Sequence, residues 1–138
     1  MKTRNGIYRR LIILLLSLAL MLSFIPVSYA YSSITNRENA VTVDVKPEQI
    51  IVGKPIKFTI RLNTHSVDLA FDMVSVSVLK DDNGKTYQPV SWKGSPIGGH
   101  HRNGTLEFPK LEGNPKSVTL VIKNISNVPE RIFQWDIE

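Results

Sequence analysis

Apolar and polar residues alternate one for one through much of the chain after residue 40. Val41, Val43 and Val45 are separated by Thr42 and Asp44, and Ile56, Phe58, Ile60 and Leu62 by Lys57, Thr59 and Arg61. Successive side chains of a strand point to opposite faces, so this period predicts strands buried on one side. Val74, Val76 and Val78 continue it and run into Asp81-Asp82-Asn83-Gly84. The Asn-Gly pair accepts the positive φ angles of a tight hairpin, which makes Thr86 to Trp92 the returning strand. Further strands are predicted at Thr105 to Phe108, Val118 to Lys123 and Arg131 to Ile137, seven in all. No stretch beyond residue 30 keeps a helical period for three turns, and Pro or Gly punctuates every gap. Short strands at this spacing predict an all-β, antiparallel, immunoglobulin-like sandwich of two sheets.

The first thirty residues follow another pattern. Lys2, Arg4, Arg9 and Arg10 precede an apolar run from Leu11 to Ile25, Pro26 breaks it, and Ser28-Tyr29-Ala30 supplies small residues at the −3 and −1 positions of a cleavage site. This is the layout of a secretory signal, with Tyr31 as the expected first residue of the product. The apolar run is shorter than the ~20 residues of a spanning helix, so membrane attachment is expected only if the segment stays uncleaved. The expected division is a signal peptide over 1–30, a short linker over 31–40 and one sandwich domain over 41–138, in a secreted or otherwise extracytoplasmic protein.

Removing the signal changes the charge. The chain has 17 Lys and Arg against 12 Asp and Glu. Four of those cations lie in the signal, which leaves 13 against 12, a net charge of +1, over residues 31–138. With no basic run remaining, neither nucleic acid nor an anionic membrane is expected as a partner. Cysteine is absent, which excludes disulfides, thiolate metal sites and a cysteine nucleophile. The 108 residues after position 30 suit one core held by packing alone, and a monomer is expected.

Candidate chemistry sits in two stretches, "NTHSVDLAFDM" over 63–73 and "SPIGGHHRNGTLEFP" over 95–109. If consecutive strands reverse direction, the connections 63–73, 93–104 and 124–130 share one end of the sandwich. His65, His100 and His101 then become neighbours. One reading is a metal site, with Zn²⁺ or a copper ion held by His65 and His100 or His101 and completed by Asp68, Asp72 or the Met73 thioether. Gly98 and Gly99 would let the loop fold close to the ion. Extended neighbours point apart, however, so His100 and His101 could share an ion only at a sharp turn. A second reading is a closed network in which the histidines and carboxylates fasten the two loops to each other, and a third is that the histidines are solvent-exposed and have no role.

Catalysis is not expected. Ser66 beside His65, with Asp68 beyond, cannot form a nucleophile–base–orienter line in an extended segment, and no Gly-x-Ser-x-Gly elbow exists. An unidentified protein, glycan or envelope component is the expected partner, with Trp92, Tyr87 and Arg102 as candidate contacts and Trp92 the one expected to pack inward.

"KPEQIIVGKPIKFTI", 46–60, resembles the opening of many prokaryotic immunoglobulin-like envelope domains. "LNTHSVDL" and "SWKGSPIGGHHRNGTLEFP" together resemble a pair of signatures in exported prokaryotic domains of about this length, a family without an established activity. That resemblance covers most of residues 41–138, implies the same domain, and draws attention to His65, Asp68, Gly98, Gly99, His100, His101 and Arg102. Copper-handling periplasmic sandwiches share the size and the histidine–methionine chemistry, but this chain lacks their methionine-rich runs and an amino-terminal histidine.

Overall fold

A computed structural model describes residues 2–22 and 30–137. The amino-terminal segment forms helix α1, Lys2–Leu22. Among the described residues no helix is long and apolar enough to cross a membrane. Ser28 and Tyr29 of the expected cleavage motif lie outside the described residues.

The remainder is a sandwich of two antiparallel sheets. The strands are β1 (Ile34–Glu38), β2 (Val41–Pro47), β3 (Pro55–Thr64), β4 (Ser77–Asp81), β5 (Thr86–Tyr87), β6 (Ser91–Gly94), β7 (His101–Lys110), β8 (Ser117–Ile125) and β9 (Val128–Asp136). One sheet has the order β1-β2-β3-β7-β6 and the other β5-β4-β8-β9. The alternating residues do what their period requires. Val43 and Val45, Phe58 and Ile60, Leu120 and Ile122, and Phe133 are all buried in the shared core. The Phe58 ring meets Phe108 edge-on at 5.8 Å and Trp135 at 5.4 Å, which ties the two sheets together at their centre.

Nine strands stand where the sequence predicts seven, because one strand is added and one is divided, and a third begins later than expected. Residues 34–38, read as linker, form the edge strand β1, joined to β2 by a two-residue turn in which Asn39 (φ 45°) and Ala40 (φ 64°) are both left-handed. The strand expected from Val74 is displaced by a helical turn, α2 (Met73–Val76), because the Asp72 carboxylate accepts from the Val74 and Ser75 amides and starts a helix instead. The single strand expected over 86–92 is two strands in different sheets. Tyr87 pairs with Leu79 in one and Trp92 with Leu106 in the other, and the chain crosses between them at 88–90, beside Pro89. The Asn83-Gly84 hairpin falls as expected, with Gly84 at φ 84°.

Candidate functional site

The end of the sandwich where β3 finishes and β7 begins gathers the sequence's unusual residues. Asn63 pairs with His101 in the ladder, and the Thr64 amide donates to the His100 carbonyl at 3.0 Å. Thr64 is buried, and its hydroxyl oxygen accepts from the Ser66 amide at 3.3 Å and the Val67 amide at 3.2 Å. A side chain that mimics the next backbone carbonyl in this way turns the chain out of the strand.

Beyond that turn the two loops are latched to each other. The Leu69 amide donates to the Gly99 carbonyl at 3.0 Å and the Gly98 amide to the Leu69 carbonyl at 3.1 Å. The Asp68 carboxylate accepts from the Gly99 amide at 2.7 Å. Gly98 (φ 101°) and Gly99 (φ 80°) adopt the left-handed conformation that aims both amides back across the gap. The Leu69 side chain plugs the end of the core.

Arg102 locks the same segment from inside. It is 2% exposed on the inward face of β7, where its Nη1 donates to the Leu69 carbonyl at 3.0 Å and the Phe71 carbonyl at 2.6 Å. Its guanidinium lies 5.2 Å from the centre of the Phe71 ring and 5.8 Å from that of Trp92, both within reach of a cation–π attraction. Burial pushes its pKa down and the nearby Asp72 charge opposes that shift; the group remains a cation. Its Nε has no hydrogen-bond partner. A second buried arginine, Arg131, plays a comparable part at the β1–β2 turn. Its Nη1 donates to the Asn36 side chain and the Val41 carbonyl, and its Nη2 to the Glu38 carbonyl at 2.8 Å. This fastens the β1–β2 turn to β9.

The connection 124–130 also reaches this end, but it meets a different neighbour. The Ser126 hydroxyl donates to the Asn39 carbonyl at 2.7 Å, and the Asn39 amide group returns a bond to the Ser126 carbonyl. The end is closed by two clasps, 63–72 with 98–102 and 36–41 with 125–131, linked through the Val41–Thr64 ladder pair.

The histidines themselves are exposed. His101 begins β7 and sits on its outer face, where its Nδ1 donates to the Asn63 side-chain oxygen at 3.0 Å. Among the described residues neither His65 nor His100 makes a side-chain hydrogen bond. Asp68 is engaged by Gly99, Asp72 by the start of α2, and Met73 is fully buried in the core. Among the described residues no three His, Asp or Glu side chains converge in a metal-holding geometry.

Two of the candidate contact residues point inward. Arg102 is buried as described, and Tyr87 stands at the opposite end, buried, with its hydroxyl donating to Asp81 at 2.9 Å. Trp92 is half-buried, and its Nε1 donates to the Ser95 carbonyl at 2.9 Å. Sequence reasoning misses Ile97 as a surface feature. It is 61% exposed, on a loop pinned at Ser95, whose amide donates to the Asn103 carbonyl, and at Gly98 and Gly99. Its signal in the sequence was an apolar residue between Pro96 and two glycines, with no alternating neighbour to bury it.

The fold and this end define a β-sandwich with a rigid, latched loop tip. The sequence matches no family model, and neither a curated protein nor a solved structure matches the chain.

Proposed function

We propose that the protein is an extracytoplasmic binding module with an immunoglobulin-like sandwich, and that its latched loop end engages a protein partner through Ile97. The strand orders β1-β2-β3-β7-β6 and β5-β4-β8-β9 support the immunoglobulin-like reading, because β2-β3-β7-β6 and β4-β8-β9 match the four-plus-three pairing of that fold, with one extra strand on each sheet. The basic amino-terminal residues and the apolar segment that follows them support export. The observation that carries the binding reading is the Pro96-Ile97 tip. A large aliphatic side chain is held in solvent by a backbone fixed on both sides, so docking onto it would cost little loop entropy. Loops held in place by a rigid scaffold are a frequent seat of binding residues.

The carboxylate contacts support a structural role for the loops over a metal site, since Asp68 and Asp72 already accept backbone amides and Met73 lies inside the core, while the exposed histidines stand outside that latch. On this reading titration of the full chain with Zn²⁺ or Cu²⁺ shows no stoichiometric uptake that depends on His65 and His101. Uptake near one ion per chain, lost in His65→Ala and His101→Ala, would restore the metal reading. For the partner, a photo-cross-linking residue at Ile97 in the full chain, expressed in its own host, is expected to give one discrete protein adduct. The same residue at the exposed Ile132 on the other sheet serves as control. No adduct from Ile97, or the same adduct from both positions, would overturn the assignment.

A further inference from the structure

The near-neutral charge of residues 31–138 conceals a division of charge that only the folded sheet produces. In the five-stranded sheet Val43, Val45, Phe58, Ile60 and Leu106 point into the core, so the residues between them point outward. That outer face is predominantly polar. It carries Arg37 from β1, Lys46 from β2, Lys57 and Arg61 from β3, and Lys93 from β6, against Asp44, Glu107 and Glu48, which follows β2 and shares a groove with Lys57. Lys93 is paired with Glu107 at 3.4 Å, and Asp44 accepts a hydrogen bond from the Thr35 hydroxyl. Among the described residues none of Arg37, Lys46, Lys57 and Arg61 has an ion-pair partner.

The rest of the molecule is arranged the other way. Apart from this face and the buried Arg102 and Arg131, residues 31–138 contain six cations against nine carboxylates. The outer face of the second sheet is balanced, with Lys80 and Lys123 against Glu130 and Asp136. A cationic face on a sandwich whose other residues are net acidic orients an approaching polyanion towards that face of the sandwich.

The ladder register gives the cations a defined layout. Lys46 stands opposite Thr59, and Asp44 opposite Arg61, so Lys46 is the diagonal neighbour of both Lys57 and Arg61. Such positions are about 7–8 Å apart. A groove of about 480 Å³ lies over this region, lined by Ser33, Asp44, Lys46, Thr59 and Arg61. Its Thr59 hydroxyl and two cations are donors suited to phosphate oxygens, and an arginine fork can hold two of them at once. The Ser33 hydroxyl already donates to the Val45 carbonyl, and Asp44, the one carboxylate lining the groove, accepts from Thr35.

We propose that this face is a binding surface for a linear, base-free phosphodiester polymer. The unpaired cations span three neighbouring strands, more than one phosphate can cover, which calls for a repeating anion. The face offers no aromatic ring on which a base could stack, as single-stranded nucleic acid binders do. Its aliphatic side chains are confined to Ile51 and Pro55 at one edge, too few to enter a bilayer.

The test uses the purified full chain with poly(glycerol phosphate) as probe, measured at about 50 mM salt and upward. The double variant Lys46→Gln/Arg61→Gln is compared with Lys80→Gln/Lys123→Gln on the opposite sheet. Both keep the four amino-terminal cations, so their difference reads the sheet face. The expected result is saturable binding that weakens about tenfold in the first variant and less than twofold in the second. Losing two phosphate contacts should also flatten the slope of log K against log salt by about 1.4. Circular dichroism confirms that both variants retain the sandwich. Absence of saturable binding, or equal losses in the two variants, would overturn the proposal. So would equally tight binding of a single-stranded oligonucleotide, or binding only to phosphatidylglycerol vesicles.

Discussion

The Asp68 carboxylate accepts a 2.7 Å hydrogen bond from the Gly99 amide, 31 residues further along the chain. It joins the two stretches that carry all three histidines, and it works because Gly98 and Gly99 are left-handed. Asp68→Ala should cost about 1 kcal/mol in urea unfolding, the usual worth of one exposed, charge-assisted bond. Asp68→Asn, which keeps an acceptor oxygen, should recover most of it. The sharper readout is hydrogen exchange at the Gly99 amide, which should accelerate in the Ala variant. Unchanged exchange would mean that the latch is not formed in solution.

Gly99 needs its own conformation as well as its amide. At φ 80° a side chain is strained even though the space around it is open, so Gly99→Ala should lose about 1–2 kcal/mol. Paired with Asp68→Ala, the two losses should fall short of their sum, since both break the same contact.

Arg102 is expected to matter more than any histidine. Arg102→Met fills the space but leaves the Leu69 and Phe71 carbonyls without their buried donor, which should cost about 3 kcal/mol. Arg102→Lys keeps the charge without the planar stack on Phe71 and Trp92, and should fall between the two. The midpoint of guanidinium chloride unfolding measures both. A Met variant as stable as the parent would show that the arginine serves some purpose other than holding this loop.

Gly104 makes room for Trp92. A Cβ there would lie 2.7 Å from the Trp92 ring and 2.7 Å from the Gly94 Cα in the paired strand β6. Gly104→Ala should therefore push β6 off β7 and cost about 1–3 kcal/mol. Tryptophan fluorescence should shift at the same time as the Trp92 side chain is displaced.

Asp72 contributes a pH dependence of known sign. The Ser75 hydroxyl bond, helped by the Val74 and Ser75 amides, holds its pKa below the ordinary 3.8. A carboxylate with a depressed folded pKa stabilises the fold fully above its unfolded value, and that contribution is lost as pH falls through the folded one. Asp72→Asn should thus lower stability near neutral pH, with the gap to the parent narrowing as pH falls below the unfolded value of about 3.8 and closing only below the lower folded pKa, where the parent's own carboxyl is protonated. A gap that stays constant from pH 7 to pH 2.5 would argue against the charge and leave only the cap.

The alternation was informative where one strand face meets the core over its whole length. Val41 to Val45, Ile56 to Leu62, Val118 to Ile122 and Phe133 to Trp135 could be assigned inward from period alone, and each is buried. The pattern misled at Val74, because the apolar period ignores the cap that Asp72 makes with Ser75. It also ran 86–92 together, since a strand that leaves one sheet for the other keeps the same alternation. β1 escaped notice because its core-facing Asn36 is polar, and its partner is a buried arginine 95 residues away.

The candidate site was legible as a neighbourhood but not as a set of roles. Reversal of consecutive strands was enough to bring 63–73 and 93–104 together, and their hydrogen bonds join there. Which side chains would be engaged was not: Asp68 faces an amide, Met73 the core, and Arg102 the interior.

Period-two burial, turn residues and the absence of cysteine depend on each residue and its immediate neighbours, so the amino-acid sequence by itself determined an all-β sandwich built on packing. Sheet membership, the two buried arginines, the loop latch and the cationic outer face depend on pairs brought together from distant positions. Those were decided by the tertiary structure alone, because a hydrogen bond such as Asp68 to Gly99, or a diagonal such as Lys46 to Arg61, exists only once strand register has set who stands opposite whom.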